Sequence, residues 1–236
     1  MTSSQLGLDL RVRTWGGARA GAGRKKSKGS SDPAHRPRPA HKRYEPAHVV
    51  LRTRSDVMRL RRGEVLRAIR GALRRSASHV AFRVVHISIQ HNHLHLLVEA
   101  EHKLALSRGM QGFAIAAARA INRSGRRTGK VFAFRYHATP ITNPRQARHA
   151  LAYVLNNWRR HREDQRSQAA RKAAIDPYSS AIVFDGWSEV QSLAIPEDYE
   201  PLPVTRPETW LLRRGWRLGG PLIGPRERPG RIRAPG

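Results

Sequence analysis

Residues 82 to 100, "FRVVHISIQHNHLHLLVEA", constrain the fold more than any other stretch. Two runs, 82–90 and 93–100, alternate with the period of two that belongs to strands. Gln90, His91 and Asn92 between them form a short polar connection of hairpin length. Val85, Ile87 and Ile89 are expected on one face with Leu94, Leu96, Val98 and Ala100. The other face takes His86, Ser88, Gln90, His93, His95, Leu97 and Glu99. A sheet with one apolar face needs helices to cover that face.

The flanking sequence supplies them. Residues 48–54, "HVVLRTR", read as a strand, and 63–79 place Val65, Leu66, Ile69 and Leu73 at helical spacing. An Ala-rich helix is predicted over 104–125, stopping at Gly125. A fourth strand follows over 130–141, "KVFAFRYHATPI", and a last helix over 143–164, with Asn143 as N-cap and Pro144 in its first turn. The order β-α-β-β-α-β-α predicts a ferredoxin-like α+β sandwich, a four- to five-stranded antiparallel sheet with helices on one face.

Three divisions are expected: a basic N-terminal arm over 1–45, the periodic domain over 46–165, and an irregular Pro/Gly/Arg-rich extension over 166–236, partly draped on the domain. The arm has no apolar periodicity and cannot bury a core, so disorder is expected there. Charge identifies the partner class. Against 17 Asp+Glu stand 45 Lys+Arg, a formal net of +28. Such a cation favours a polyanion, because Lys and Arg neutralise phosphates and release counterions. No apolar run spans a bilayer. The N-terminal residues lack the apolar run of a secretory signal, and cysteine is absent, which suits a reducing compartment. The expected location is the bacterial cytoplasm, at the nucleoid.

His93 and His95 lie on one face, about 7 Å apart along a strand. Convergent rotamers can bring two such imidazoles to one metal ion, although surface histidines on a half-exposed sheet show the same pattern. In the last helix Tyr153 and Asn157 are spaced i, i+4 and so stack on one face. They flank the apolar stripe of Ala147, Leu151, Val154 and Trp158; a peripheral core tyrosine beside a solvated amide is the alternative. Taken together, two neutral imidazoles and an amide oxygen can hold one divalent cation, Mg²⁺ or Mn²⁺. A tyrosine hydroxyl beside it can attack a phosphodiester and form a phosphotyrosine. His48 and Arg52 alternate on the first strand and can line the same polar face. Arg135 near the end of the fourth strand, His149 one turn before Tyr153, and Arg24, Lys25 and Lys26 in the arm are further candidates for DNA contact.

Residues 46 to 187 resemble the single-tyrosine HUH transposases, named for histidine, hydrophobic residue, histidine. "HNHLHLLVE" matches their metal motif through His93-Leu94-His95, and "ALAYVLNN" their nucleophile helix through Tyr153. The branch most resembled is the REP-associated tyrosine transposases. "GMQGFAIAAARAINR", "VFAFRYH" and "DPYSSAIVFDGW" carry that likeness. The resemblance implies the HUH endonuclease fold, His93, His95 and Asn157 as metal ligands, and Tyr153 as nucleophile. The implied substrate is single-stranded hairpin or palindromic repeat DNA, and the implied protein a monomer or homodimer. Two other functions compete. One is a non-catalytic DNA- or RNA-hairpin binder on the same fold, which needs neither tyrosine nor histidines. The other is a rolling-circle initiator or relaxase, disfavoured by the absence of a helicase motif such as G-x-x-x-x-G-K-[ST].

Overall fold

A computed structural model describes residues 41–189 and 199–230. The elements run β1 (Ala47–Arg52), α1 (Gly63–Ser76), β2 (Phe82–Ile89), β3 (His93–Ala100), α2 (Lys103–Ser124), β4 (His137–Pro140) and α3 (Pro144–Arg160). Two short helices follow, α4 (Gln168–Lys172) and α5 (Trp210–Arg213). Among the described residues the sheet has four strands in the order β2-β3-β1-β4, every neighbouring pair antiparallel. This is the α+β sandwich the element order predicts. Residues 1–40 of the basic arm, with Arg24, Lys25 and Lys26, lie outside the described residues.

One face of the sheet carries Ala47, Val49 and Leu51 of β1, Phe82, Val84, Ile87 and Ile89 of β2, and Leu94, Leu96, Val98 and Ala100 of β3, all buried. The amphipathic helices α1 and α2 cover it. From α1 come Val65, Ile69 and Leu73; from α2 come Leu106, Met110, Phe113, Ala117 and Ile121, at a spacing that keeps one stripe inward.

Val85 departs from the alternation. The pairing runs Val84 with Val98 and then His86 with Leu97, so Val85 is an extra residue in β2. A bulge of this kind reverses which residues face which side. Val85 is thereby buried on the opposite face, with Leu97. The same irregularity lets both halves of β2 place their larger apolar residues under α1 and α2.

The sheet is covered on both faces. α1 and α2 take the apolar face, as the pattern predicts. α3 lies across the other, packing Ala147, Leu151 and Val154 with Val85 and Leu97. Its N-terminus is capped as expected: the Asn143 side chain accepts from the Gln146 amide, and Gln146 Oε1 accepts from the Thr142 amide and hydroxyl. Residues 199–230 close the outer side of α3 with Leu211, Leu212, Trp216 and Ile223. Trp187 and Trp216 are buried in this layer, while Trp210 is exposed.

β4 is shorter than its sequence pattern. Val131 and Phe132 both join the core under α1 and α2, and consecutive residues of a flat strand cannot share a face. A single bridge joins Phe132 to Thr53; the chain then bends and pairs with β1 again only from His137. Arg135 lies in that bend and is exposed.

Candidate active site

The face under α3 gathers the histidines by register. Arg52 of β1 lies opposite His93, Val50 opposite His95 and His48 opposite Leu97. On the outer side of β1, His137 pairs with Val50. The sheet thus sets His48, Arg52, His93, His95 and His137 on one side. Arg52 is exposed at its edge.

His93 and His95 converge. Their Nε2 atoms are 2.9 Å apart and the rings meet edge to face. Each Nδ1 is already engaged: that of His93 lies 2.8 Å from Asn92 Oδ1, and that of His95 lies 3.0 Å from His48 Nε2. Burial pushes the pKa values of His93 and His48 down to about 4 and holds that of His95 well below the usual imidazole range. All three rings are neutral at pH 7, the form in which an imidazole nitrogen can ligate a metal.

α3 brings the remaining groups. Tyr153 is half-buried and meets His95 and His48 edge-on, with ring centroids 5.1 and 5.7 Å away. Two turns on, His161 packs against His93 at 5.4 Å. Asn157 sits between them on the same helix face and is completely buried. Neither atom of its carboxamide has a hydrogen-bond partner among the described residues. Its neighbour Asn156 turns the other way and donates to the Gly224 carbonyl.

A buried carboxamide with no partner costs roughly 1–3 kcal/mol. That cost is removed if the oxygen ligates a cation. Ligands about 2.1 Å from a metal and at right angles lie roughly 3 Å apart, which suits the separation of the two Nε2 atoms. The two imidazoles therefore suit a shared small divalent cation. Among the described residues no group of three His, Cys, Asp or Glu side chains converges on a metal position; Asn157, with its unpartnered carboxamide on the helix over the histidines, is the candidate third ligand.

Of the other sequence candidates, His48 lies inside the cluster and Arg52 at its rim, whereas His149 is exposed on α3 and Arg135 stands away in its loop. The sequence reading passed over His161 and Asn92. His161 continues the four-residue spacing of Tyr153 and Asn157 and could have been found that way. Asn92 was assigned only to the turn. A separate cavity of about 700 Å³ has His91, Arg59, Arg166, Tyr178, Glu163 and Asp176 in its lining, and none of His93, His95, Tyr153 or Asn157 lines it.

Residues 44–157, from the residue range before β1 to Asn157, match the family described as "Transposase IS200 like". No curated protein matches the chain. Among solved structures, a REP-associated tyrosine transposase bound to a REP hairpin is similar at 15% identity, with a TM-score of 0.43, over 55% of this chain and 74% of that one. A candidate transposase from Deinococcus radiodurans R1 is similar at 18% identity, with a TM-score of 0.36, over 52% of this chain and 92% of that one. Among the described residues no helix is long and apolar enough to cross a membrane.

Proposed function

We propose that this chain nicks and joins single-stranded, hairpin-forming DNA through Tyr153, in the manner of the REP-associated tyrosine transposases. The observation that carries the reading is the edge-on packing of Tyr153 against His95 and His48, beside the converging Nε2 atoms of His93 and His95. Asn157 in place of glutamine, and the motifs of α2 and of residues 176–187, favour that branch of the family.

Tyr153 Oη attacks phosphorus. The new P–Oη bond replaces the P–O3′ bond, leaving the 5′-phosphate of the downstream strand on the tyrosine and a free 3′ hydroxyl on the upstream strand. The phenolic proton is lost as the leaving oxygen gains one, so no net proton is consumed. The ester bond is kept on the enzyme, and a second 3′ hydroxyl can reverse the step and join strands. His93, His95 and Asn157 would hold a divalent cation, Mg²⁺ or Mn²⁺, whose charge polarises the phosphodiester. The surrounding residues bind and orient the strand. Arg52 at the rim is placed to meet a phosphate.

The test is covalent capture on an end-labelled hairpin-bearing single strand with Mg²⁺ or Mn²⁺. Wild-type protein should give a protein–DNA band on a denaturing gel that maps to Tyr153. Tyr153→Phe should bind the strand with unchanged affinity and give no band. A band undiminished in Tyr153→Phe, or a label on Tyr136, Tyr178 or Tyr199, refutes the assignment. Binding without any cleavage in wild type would leave the non-catalytic hairpin binder.

A further inference from the structure

The histidine pair is held from behind by two residues that nothing in its own motif requires. We infer that Asn92 and His48 are positioning residues that set both imidazoles to present Nε2 to the same point. This rests on the reading of His93 and His95 as cation ligands.

An imidazole has two nitrogens, and the partner of one determines what the other can do. His93 Nδ1 lies 2.8 Å from Asn92 Oδ1, an oxygen that can only accept, so the ring proton belongs on Nδ1 and Nε2 keeps its lone pair. Asn92 is itself tied down. Its backbone carbonyl accepts from both the amide and the hydroxyl of Thr53, just past the end of β1, at 2.9 and 3.0 Å. The hairpin turn and the first strand therefore fix together the backbone that carries the orienting side chain.

His95 is served differently. His48 reaches its Nδ1 from β1 at 3.0 Å, and the two rings stack with centroids 5.1 Å apart at 20°. His48 is buried on the sheet, diagonal to His95 by strand register. A neutral imidazole at this position can run the bond either way. With a cation present, His95 carries its proton on Nδ1 and donates it to His48 Nε2. Without one, His48 Nε2–H donates to His95 Nδ1, and His95 Nε2–H donates to His93 Nε2 across the 2.9 Å gap. Each ring holds one proton in both arrangements, so the change is an exchange of tautomers with no net gain or loss of protons. A carboxylate at position 48 could only accept, and a lysine could only donate. Histidine suits both states, which is a chemical reason for its presence on β1.

The experiment measures Mn²⁺ binding by calorimetry or electron paramagnetic resonance, with no DNA and no turnover. His48→Leu and Asn92→Ala should weaken Mn²⁺ binding by roughly 10- to 100-fold, the range for partners behind metal-bound histidines. His48→Gln, which keeps a donor and an acceptor, should recover most of the loss. A native-like circular dichroism spectrum and cooperative thermal unfolding would show that the variants fold. Wild-type Mn²⁺ affinity in His48→Leu and Asn92→Ala, together with its loss in His93→Ala, overturns the positioning role and leaves the ligand reading standing. Wild-type affinity in His93→Ala as well overturns both. Should the variants not fold, ¹⁵N-histidine spectra of the wild-type protein with and without Mg²⁺ decide. A proton on Nδ1 of His93 in both conditions is expected, and one on Nε2 refutes the inference.

Discussion

His86 is a histidine the site does not use, and it exposes the cost of burying imidazoles. Burial pushes its pKa down to about 4 from the ordinary 6.5, and its Nδ1 lies 3.1 Å from the Ser180 hydroxyl. Above pH 6.5 the ring is neutral folded or unfolded. Between 6.5 and 4 the unfolded chain takes up a proton that the folded chain refuses, so stability falls as pH falls through that window. His48 and His93 share the direction and add to the loss. Urea unfolding at pH 7.5 and at pH 4.5 checks this. His86→Phe should be less stable than wild type at pH 7.5, by about 1 kcal/mol for the lost hydrogen bond. That deficit should shrink or reverse at pH 4.5. An equal deficit at both pH values would mean that His86 titrates normally in the fold.

The elements meet with little slack where the site is supported from behind. Gly109 of α2 faces β2, and a Cβ added there would overlap the Phe82 ring. Phe82 is a core side chain held between the sheet and α2, so the ring cannot simply swing away. Gly109→Ala should destabilise the domain by about 1–3 kcal/mol, the usual range for overpacking, despite the better helix propensity of alanine. Chemical denaturation is the measurement. A gain in stability would mean that the contact relaxes freely. The alternation of β3 and the cap of α3 were legible from local residues, because period and capping are local properties. The bulge at Val85 and the bend that shortens β4 were not. Both arise from pairing with a partner strand, and no single strand's pattern records its neighbour.

At the scale of the molecule, α3 is clamped between the sheet and the chain that follows it. Arg148 is buried and makes two bonds to the Glu227 carboxylate, at 2.7 and 2.8 Å, besides one to the Pro221 carbonyl at 2.8 Å. Arg159 reaches the Pro225 and Ala174 carbonyls, and Asn156 the Gly224 carbonyl. Glu227→Ala would leave the Arg148 guanidinium buried with carbonyl partners alone. The expected loss is roughly 1–3 kcal/mol, read by denaturant unfolding. No change would place Glu227 outside the fold's stabilising contacts.

By itself the sequence determined the element order, the strand faces around His93 and His95, and the i, i+4 pairing of Tyr153 with Asn157. Those follow from periodicity and composition, which each segment carries within itself. Only the tertiary structure decided that α3 lies over the histidine face, that Asn157 rather than Asn156 points inward, and that His48, Asn92 and His161 join the cluster. These are long-range choices: His48 and His95 are 47 positions apart along the chain. Whether they touch depends on strand register and on which face each helix covers, and the sheet settles both only once it is assembled.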